Sequence, residues 1–195
     1  MQSVFNKMTK DDYLFIKNKY GGHASWAIWA DVGTTPKSNM EDLAIFDDDD
    51  VHKRLNPENV LVGLNISGYI LEKPFENFHG KGGGAFKIRY ATRGTALWGG
   101  YLTDIIKDFP EMHSSNVMKY LRSHPDLAER NIASFKQELS DIGSTHPTIY
   151  AFGNDTFEIL TKLMGSIFRI KNLMHYSHFI SKENYRNHVL EVVSS

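Results

Sequence analysis

The sequence predicts a three-layer α/β/α domain with a mostly parallel central sheet. From residue 60 onward, short apolar strands alternate with helices, a pattern typical of parallel pairing and of a sheet covered on both faces. The chain has 195 residues, of which 41% are hydrophobic, enough for one domain with one core. We therefore expect a single α/β domain over 1–195, in which 1–57 add a helix and an edge strand to a core formed by 58–195.

The N-terminal part predicts these two elements in order. Residues 11–20 have apolar side chains at helical spacing, and Gly21-Gly22 ends the helix. Residues 24–32 alternate as a strand does, with Trp26 and Ile28 on one face. Residues 33–50 contain a proline and an acidic run and are expected to form a loop.

The middle of the chain predicts two strands around a long connection. Residues 60–65 are strongly apolar and end at small, polar residues, which indicates a buried strand. Residues 69–94 are expected to form a long irregular connection with a glycine-rich tip at 82–84, and such connections are usually functional or flexible. Residues 97–106 form the next apolar run.

The last third predicts alternating helices and strands. Ser114 or Ser115 is expected to cap a helix that runs to residue 122, and Pro125 opens another that runs to 142. A strand over 148–152, a helix over 155–164 and a strand over 167–174 follow. Ser181 then caps a final helix with an imperfect capping box, because the third position after it is Asn184 rather than Glu or Gln.

Composition narrows the functional classes. The formal net charge is −1, so the basic excess typical of whole nucleic-acid-binding domains is missing, although a local basic face remains open. The chain has no cysteine, which excludes disulfides, thiolate metal sites and a cysteine nucleophile. Without a signal-peptide pattern or an apolar stretch near the ~20 residues that cross a bilayer, a soluble cytoplasmic protein with no membrane partner is expected.

Two strand ends carry the chemistry. The run Gly63-Leu64-Asn65-Ile66-Ser67-Gly68 ends one strand with an amide, and Met174-His175-Tyr176-Ser177-His178 ends another with an imidazole. In open α/β sheets, ligands bind in the crevice outside the carboxyl ends of the strands. The sequence therefore predicts a site to which both strand ends contribute.

The order of these fragments resembles that of the uracil-DNA glycosylase superfamily. The chain gives strand-Gly63-Leu64-Asn65, then Thr103-Asp104-x-x-Lys107, then a strand-Gly153-helix unit, and finally strand-His175-Tyr176-Ser177. The resemblance covers roughly residues 60–193 and implies a glycosylase-like fold for the core. Ile66 and Tyr176 stand where both family motifs have proline, so the turn geometry is expected to differ there.

The resemblance also implies roles for individual residues. Asn65 matches the family position that orients or activates the attacking water, and His175 matches the histidine that hydrogen-bonds the departing base. Ser177 matches a serine that grips the DNA backbone. The first motif places Gly63, Leu64 and Ser67 against the substrate, and either Phe75 or Phe78 is in position to stack on the base.

Four basic residues near the glycine-rich tip are candidates for contact with nucleic-acid phosphates: Lys81, Lys87, Arg89 and Arg93. The histidines show no metal-ligand spacing, so we assign no metal site and expect no cofactor.

Three functions remain open from the sequence. The first is a DNA glycosylase-like protein that hydrolyses the N-glycosidic bond of a damaged or mismatched base flipped out of DNA. The second is a catalytically inactive nucleic-acid-binding protein with the same groove. The third is a small-molecule enzyme or binding protein that acts on free nucleotides or bases.

Overall fold

The computed structural model describes residues 8–30, 33–66 and 71–195, and this part of the chain folds as an α/β structure. It contains six α-helices and five strands. The helices are α1 Lys10–Tyr20, α2 Phe86–Thr92, α3 Ser114–Ser123, α4 Pro125–Asp141, α5 Asn154–Met164 and α6 Lys182–Ser194. The strands are β1 Ser25–Trp26, β2 Asn56–Asn65, β3 Gly100–Ile106, β4 Thr148–Phe152 and β5 Arg169–Leu173.

The five strands form one mixed, mostly parallel sheet in the order β1-β3-β2-β4-β5. Strands β3, β2, β4 and β5 run parallel, and only β1, at the edge, is antiparallel to its neighbour β3. The central strand β2 is bordered by β3 and β4, with Gly63 beside Asp104 and Val62 beside Ala151. The carboxyl ends of the four parallel strands therefore meet at one edge of the sheet.

Helices cover both faces of this sheet. Alternate residues of β2 and β4 point to opposite sides, so that Val60, Val62 and Ile149 belong to one apolar cluster and Leu61 and Tyr150 to the other. The first cluster contains residues of α1, α3, α4 and α5, and the second contains residues of α2 and α6. The predicted α/β class with helices on both faces is thus confirmed.

Most predicted elements are present. Helix α1 and strands β2 and β4 lie where the sequence predicted them, although β2 begins four residues earlier, at Asn56. Helix α4 has Pro125 in its first turn, and Ser181 accepts a hydrogen bond from the Asn184 N–H at the start of α6. The N-cap of α6 follows the usual rule that a short oxygen-bearing side chain satisfies a free amide of the first turn.

The predicted edge strand over 24–32 is much shorter in the structure. Only Ser25 and Trp26 pair with β3 as a strand. Ala27 still donates to the carbonyl of Gly100, the first residue of β3, but the chain then turns, and the Ile28 N–H donates to the Trp26 carbonyl. Trp26 and Ile28 nevertheless share one apolar cluster, as their alternation predicted. Residues 31 and 32 of the predicted strand lie outside the described residues.

Two further predictions are wrong. The connection over 69–94 contains helix α2, which the sequence analysis missed because a seven-residue helix after a run of glycines gives little periodic signal. Neither Ser114 nor Ser115 caps α3. The N-cap is His113, whose side chain makes no capping bond, and both serines lie in the first turn of the helix.

The fully buried carboxylate of Glu138, on α4, holds that helix against β3. The Tyr101 hydroxyl donates to Glu138 Oε1 at 2.6 Å and the Thr103 hydroxyl at 2.8 Å, and Lys107 Nζ lies 2.6 Å from Oε2. Lys107 Nζ also donates to the Asp104 carbonyl at 2.8 Å. A buried charge is tolerated when it is paired and hydrogen-bonded in this way, so the network fixes the backbone at the end of β3.

His79 is a buried titratable group in the core. Its ring lies 4.7 Å from Trp29 and 5.1 Å from Phe46, and its Nε2 is 3.3 Å from the Trp26 carbonyl oxygen. Burial lowers the pKa of His79 to about 3. The imidazole is therefore neutral in the folded protein at pH 7.

None of the described helices has the length and apolar character to cross a membrane.

We predict that His79 contributes to acid denaturation. Its pKa is lower in the folded than in the unfolded chain, so its contribution to stability is complete above about pH 6.5 and is lost as the pH falls toward 3. The largest expected loss is about 3 kcal/mol by pH 4, since one pKa unit corresponds to ~1.36 kcal/mol. The measurement is urea unfolding at pH 4 and pH 7.5 for the wild type and His79→Gln.

The glutamine amide can donate to the Trp26 carbonyl but does not titrate, so the variant should lose less stability than the wild type between the two pH values. The exposed His146→Gln is the matched control and should behave as the wild type does. Equal pH dependence in all three proteins would contradict the prediction.

Candidate functional site

A cavity of about 520 Å³ opens at the carboxyl ends of the parallel strands, and we refer to it as the site cavity. Residues from the ends of β2, β3 and β4, from the turn after β5 and from the start of α3 and α5 line it. The lining residues are Gly63, Leu64, Asn65, Asp104, Glu111, Met112, Ser114, Phe152, Gly153, Asn154, Asp155, Thr156, His175, Tyr176 and Ser177.

The topology explains why a cavity forms here. The connection after β2 contains α2, on one face of the sheet, whereas the connection after β4 leads into α5, on the other face. Neighbouring parallel strands whose connections leave to opposite sides create a crevice between them. The site cavity occupies that crevice, between the ends of β2 and β4.

Asp104 lies deep in the site cavity and is 5% exposed. The Asn77 amide donates to its Oδ2 at 3.0 Å, and within the described residues its Oδ1 receives no hydrogen bond. Burial raises the pKa of Asp104 to about 6, against the opposing effects of the Asn77 hydrogen bond and the Lys107 charge. A buried carboxylate with one unpaired oxygen and a shifted pKa is a typical feature of a functional site.

Gly63 makes room for this carboxylate. A Cβ at position 63 would lie 2.1 Å from Asp104 Oδ1, far inside van der Waals contact, and 3.6 Å from the Phe78 ring. Gly63 and Asp104 are register partners in neighbouring strands, so the Asp104 carboxylate occupies the space that a side chain at position 63 would fill.

His175 contributes an imidazole whose tautomer follows from its neighbours. The Ser177 N–H donates to Nδ1 at 3.2 Å, and the Ser177 hydroxyl lies 2.8 Å from the same nitrogen. Nδ1 therefore acts as an acceptor, which leaves the proton on Nε2. Burial lowers the pKa of His175, so this neutral form, with an Nε2–H donor, is favoured at pH 7.

Asn65 is fixed by its amide nitrogen. Nδ2 donates to the carbonyl of Glu111 at 2.7 Å and to that of Ile66 at 2.9 Å, with Phe109 more distant at 3.4 Å. These bonds tie β2 to the segment after β3. They also leave Oδ1, which has no donor within the described part of the chain, as the half of the amide that could orient a water molecule.

The two positions where the resemblance expects proline are stabilised by other means. The Ile66 N–H donates to the Ile106 carbonyl at 3.3 Å, a bond that proline could not make. The Tyr176 ring stacks on His175 at 4.4 Å and meets Phe152 edge-on at 5.1 Å. A hydrogen bond and aromatic packing thus hold these turns in this chain.

Phe78, rather than Phe75, lies beside the site cavity. The Phe78 ring is 6.4 Å from Phe152 and 6.2 Å from Tyr176, both of which line the cavity. Phe75 instead packs 5.8 Å from Tyr13 in the core under α1. Both phenylalanines have positive φ, 65° and 66°, a conformation that non-glycine residues rarely adopt.

The predicted basic residues do not form one exposed surface. Lys87 is buried and its Nζ donates to the His178 carbonyl at 2.7 Å, while Arg89 is buried and donates to the carbonyls of Pro36 and Ser38. Lys81 is exposed and forms an ion pair with Glu41. Of the four, only Arg93 is exposed and makes no ion pair or side-chain hydrogen bond with the described residues. None of the four lines the site cavity.

The remaining predicted residues are placed as follows. Leu64 and Ser177 line the site cavity with Gly63, Asn65 and His175, whereas Ser67 lies outside the described residues. Three carboxylates of the lining were not among the residues that the sequence predicted for the site: Asp104, Glu111 and Asp155. The sequence contains a signal for only one of them, the Thr103-Asp104 fragment.

Charge and donor groups define what the site cavity accepts. The described lining contains three carboxylates and one histidine but no lysine or arginine. Within the described residues, no group of three or more His, Asp or Glu side chains is arranged to hold a metal ion. The cavity therefore suits an uncharged or cationic ligand that presents hydrogen-bond donors to Asp104 and an acceptor to His175.

Comparisons with protein-family models, with curated proteins and with solved structures found no match for this chain.

We predict that Gly63→Ala displaces the Asp104 carboxylate. The clash at 2.1 Å should reduce the free energy of unfolding by about 1–3 kcal/mol, as overpacking in a core usually does. Asp104→Ala should relieve the strain, so the double variant should be more stable than the sum of the two single effects predicts. The four stabilities are measured by urea unfolding.

Gly82→Ala is the matched control, because a Cβ there has no atom within 4 Å and φ is not positive. It should leave stability within about 0.5 kcal/mol of the wild type. Strict additivity of the Gly63 and Asp104 substitutions would show that the close approach carries no strain.

Proposed function

We propose that this chain is an N-glycosidase that seats a nucleobase in the site cavity and hydrolyses its bond to the sugar. The observation that carries the proposal is the convergence of Asn65, Asp104 and His175, from three different strand ends, on one cavity. Each offers a different hydrogen-bonding group, and together they match what such a reaction needs.

Asp104 and His175 have complementary roles toward the base. The ionised Asp104, deep in the cavity, accepts a hydrogen bond from an N–H of the base, and His175 Nε2–H donates to a carbonyl oxygen. This pair selects oxo bases, which carry N–H beside C=O, as uracil and hypoxanthine do. Phe78, Phe152 and Tyr176 supply the apolar surroundings of the ring.

In the reaction, the C1′–N bond breaks, a water oxygen bonds to C1′, and one water proton passes to the departing base. Negative charge develops on the base oxygen, and the fixed His175 N–H stabilises it. Asn65 Oδ1, held in place by its Nδ2 bonds, orients the water, which is a positioning effect rather than strong base catalysis.

Exposed apolar side chains beside the cavity support DNA as the carrier of the base. Met112 lines the cavity and is 70% exposed, and Phe179, two residues after Ser177, is fully exposed. Proteins that distort DNA commonly insert such side chains between base steps. A flipped base needs a filler of this kind, since unstacking costs a few kcal/mol.

A free nucleoside is the second candidate substrate. The observation that favours it is the burial of Lys87 and Arg89, which makes two of the four predicted phosphate-contacting residues inaccessible to the DNA backbone. The two candidates share the same chemistry and differ in the requirement for a polynucleotide.

The proposal predicts base release that depends on His175 and Asp104. The wild type is incubated with uracil- and hypoxanthine-containing oligonucleotides, single-stranded and duplex, and with the free nucleosides, and released base is measured. We expect His175→Ala, which removes the Nε2–H donor, to reduce kcat by about 10²–10³, the usual loss of one oxyanion donor. The exposed neighbour His178→Ala is the matched control and should keep full activity.

We also predict a pH dependence that identifies Asp104. Its carboxyl group is ionised above pH 6, so kcat/KM should rise with pH through about 6 to a plateau. Asp104→Asn should remove this limb of the profile, which a purely structural role would not do. No base release from any substrate by the folded wild type would refute the proposal.

A further inference from the structure

We propose that a second cavity binds a phosphate group of a nucleotide or nucleic acid. This cavity, of about 410 Å³, lies between residues 33–36, the C-terminal end of α2 and the first half of α6, and we refer to it as the arginine cavity. Arg89, Tyr90, Arg93 and Arg186 line it together with residues 33–36. It shares no lining residue with the site cavity.

Arg186 is held in place by half of its guanidinium group. Nη1 donates to the carbonyls of Tyr90 at 2.6 Å, Arg93 at 2.9 Å and Ala91 at 3.2 Å, at the end of α2. Satisfying the last carbonyls of a helix is a common structural role for arginine. It accounts only for Nη1, however, and leaves Nε and Nη2 without an acceptor among the described residues.

Arg93 brings a second guanidinium group to the same cavity. Its side chain is exposed, and the structure gives it no ion pair within the described residues. Planar guanidinium groups match the oxygen spacing of phosphate and bind it through paired hydrogen bonds. Because Arg186 is already immobilised, less side-chain freedom is lost when the ligand binds.

Lys182 lies near the arginine cavity but is ion-paired with Glu183, so the positive potential comes from the arginines. Lys182 Nζ lies 5.1 Å from the centre of the Tyr90 ring, and the Arg186 guanidinium lies 5.9 Å from it. Arg89 joins α2 to the loop that lines the cavity, since its Nη2 donates to the Pro36 carbonyl at 2.6 Å and that of Ser38 at 2.7 Å. No Asp or Glu of the described chain lines the arginine cavity.

The charge of the arginine cavity is thus opposite to that of the site cavity, whose described lining carries three carboxylates. The carboxylates of the site cavity repel a phosphate, whereas the guanidinium groups of the arginine cavity attract it. The inference does not depend on the proposed N-glycosidase activity, because its evidence lies in different residues.

Binding is measured by calorimetric or NMR titration at low ionic strength with inorganic phosphate, uridine 5′-monophosphate and a short single-stranded oligonucleotide. Uridine, which lacks the phosphate, is the ligand control, and any binding of it reports on the site cavity and should not respond to Arg93→Glu. We expect Arg93→Glu to weaken the phosphate-bearing ligands by about tenfold or more, as loss of hydrogen bonds to a charged group typically does. The ligand that binds most tightly identifies the source of the phosphate.

Arg122→Glu is the matched control, because Arg122 is an exposed arginine on α3 with the same change of charge. It should bind inorganic phosphate as the wild type does, and so should His175→Gln, whose side chain lies in the site cavity. The proposal is overturned if no phosphate-bearing ligand distinguishes Arg93→Glu from Arg122→Glu. It is also overturned if His175→Gln weakens the binding of inorganic phosphate as much as Arg93→Glu does, since the phosphate would then occupy the site cavity.

Discussion

The close packing of Gly63 against Asp104 is the constraint on which the site depends. Parallel pairing of β2 with β3 sets the two residues side by side, and only the absence of a Cβ allows the carboxylate to occupy that space. The buried network around Glu138 fixes the backbone of Asp104, because Lys107 forms an ion pair with Glu138 and donates a hydrogen bond to the Asp104 carbonyl. Strand register, one glycine and one buried ion pair together hold the Asp104 carboxylate in the site cavity, where its Oδ1 receives no hydrogen bond from the described residues.

The sequence predicted the sheet well because its strands are short apolar runs that end at glycine or polar residues. It predicted that Asn65 and His175 would contribute to one site because both follow such runs. It could not show that Asp104 is the deepest acid, since its pKa is raised by burial against Gly63 and the surrounding sheet, a rise that the Asn77 hydrogen bond only partly opposes. Those contacts join residues as much as 41 positions apart in the chain, and periodicity does not report them.

For the basic residues, the sequence predicted contacts with a ligand that the tertiary structure replaces with contacts inside the chain. Lys87 and Arg89 looked like a phosphate-binding pair because they lie near a glycine-rich tip. In the fold both side chains bind backbone carbonyls of distant segments, His178 in one case and Pro36 and Ser38 in the other. Charge in a sequence indicates the presence of a cation, but only the tertiary structure decides whether its partner is a ligand or the chain itself.

Helix α2, which the sequence analysis missed, connects the two cavities. At its start, Lys87 bonds the His178 carbonyl, and a Cβ at Gly84 would lie 2.7 Å from the Tyr176 carbonyl oxygen, so this end supports the turn that carries His175. At its other end, Arg186 binds the last carbonyls of α2. This short helix therefore contacts both the wall of the arginine cavity and the turn that carries His175, so the positions of both depend on the packing of the same helix.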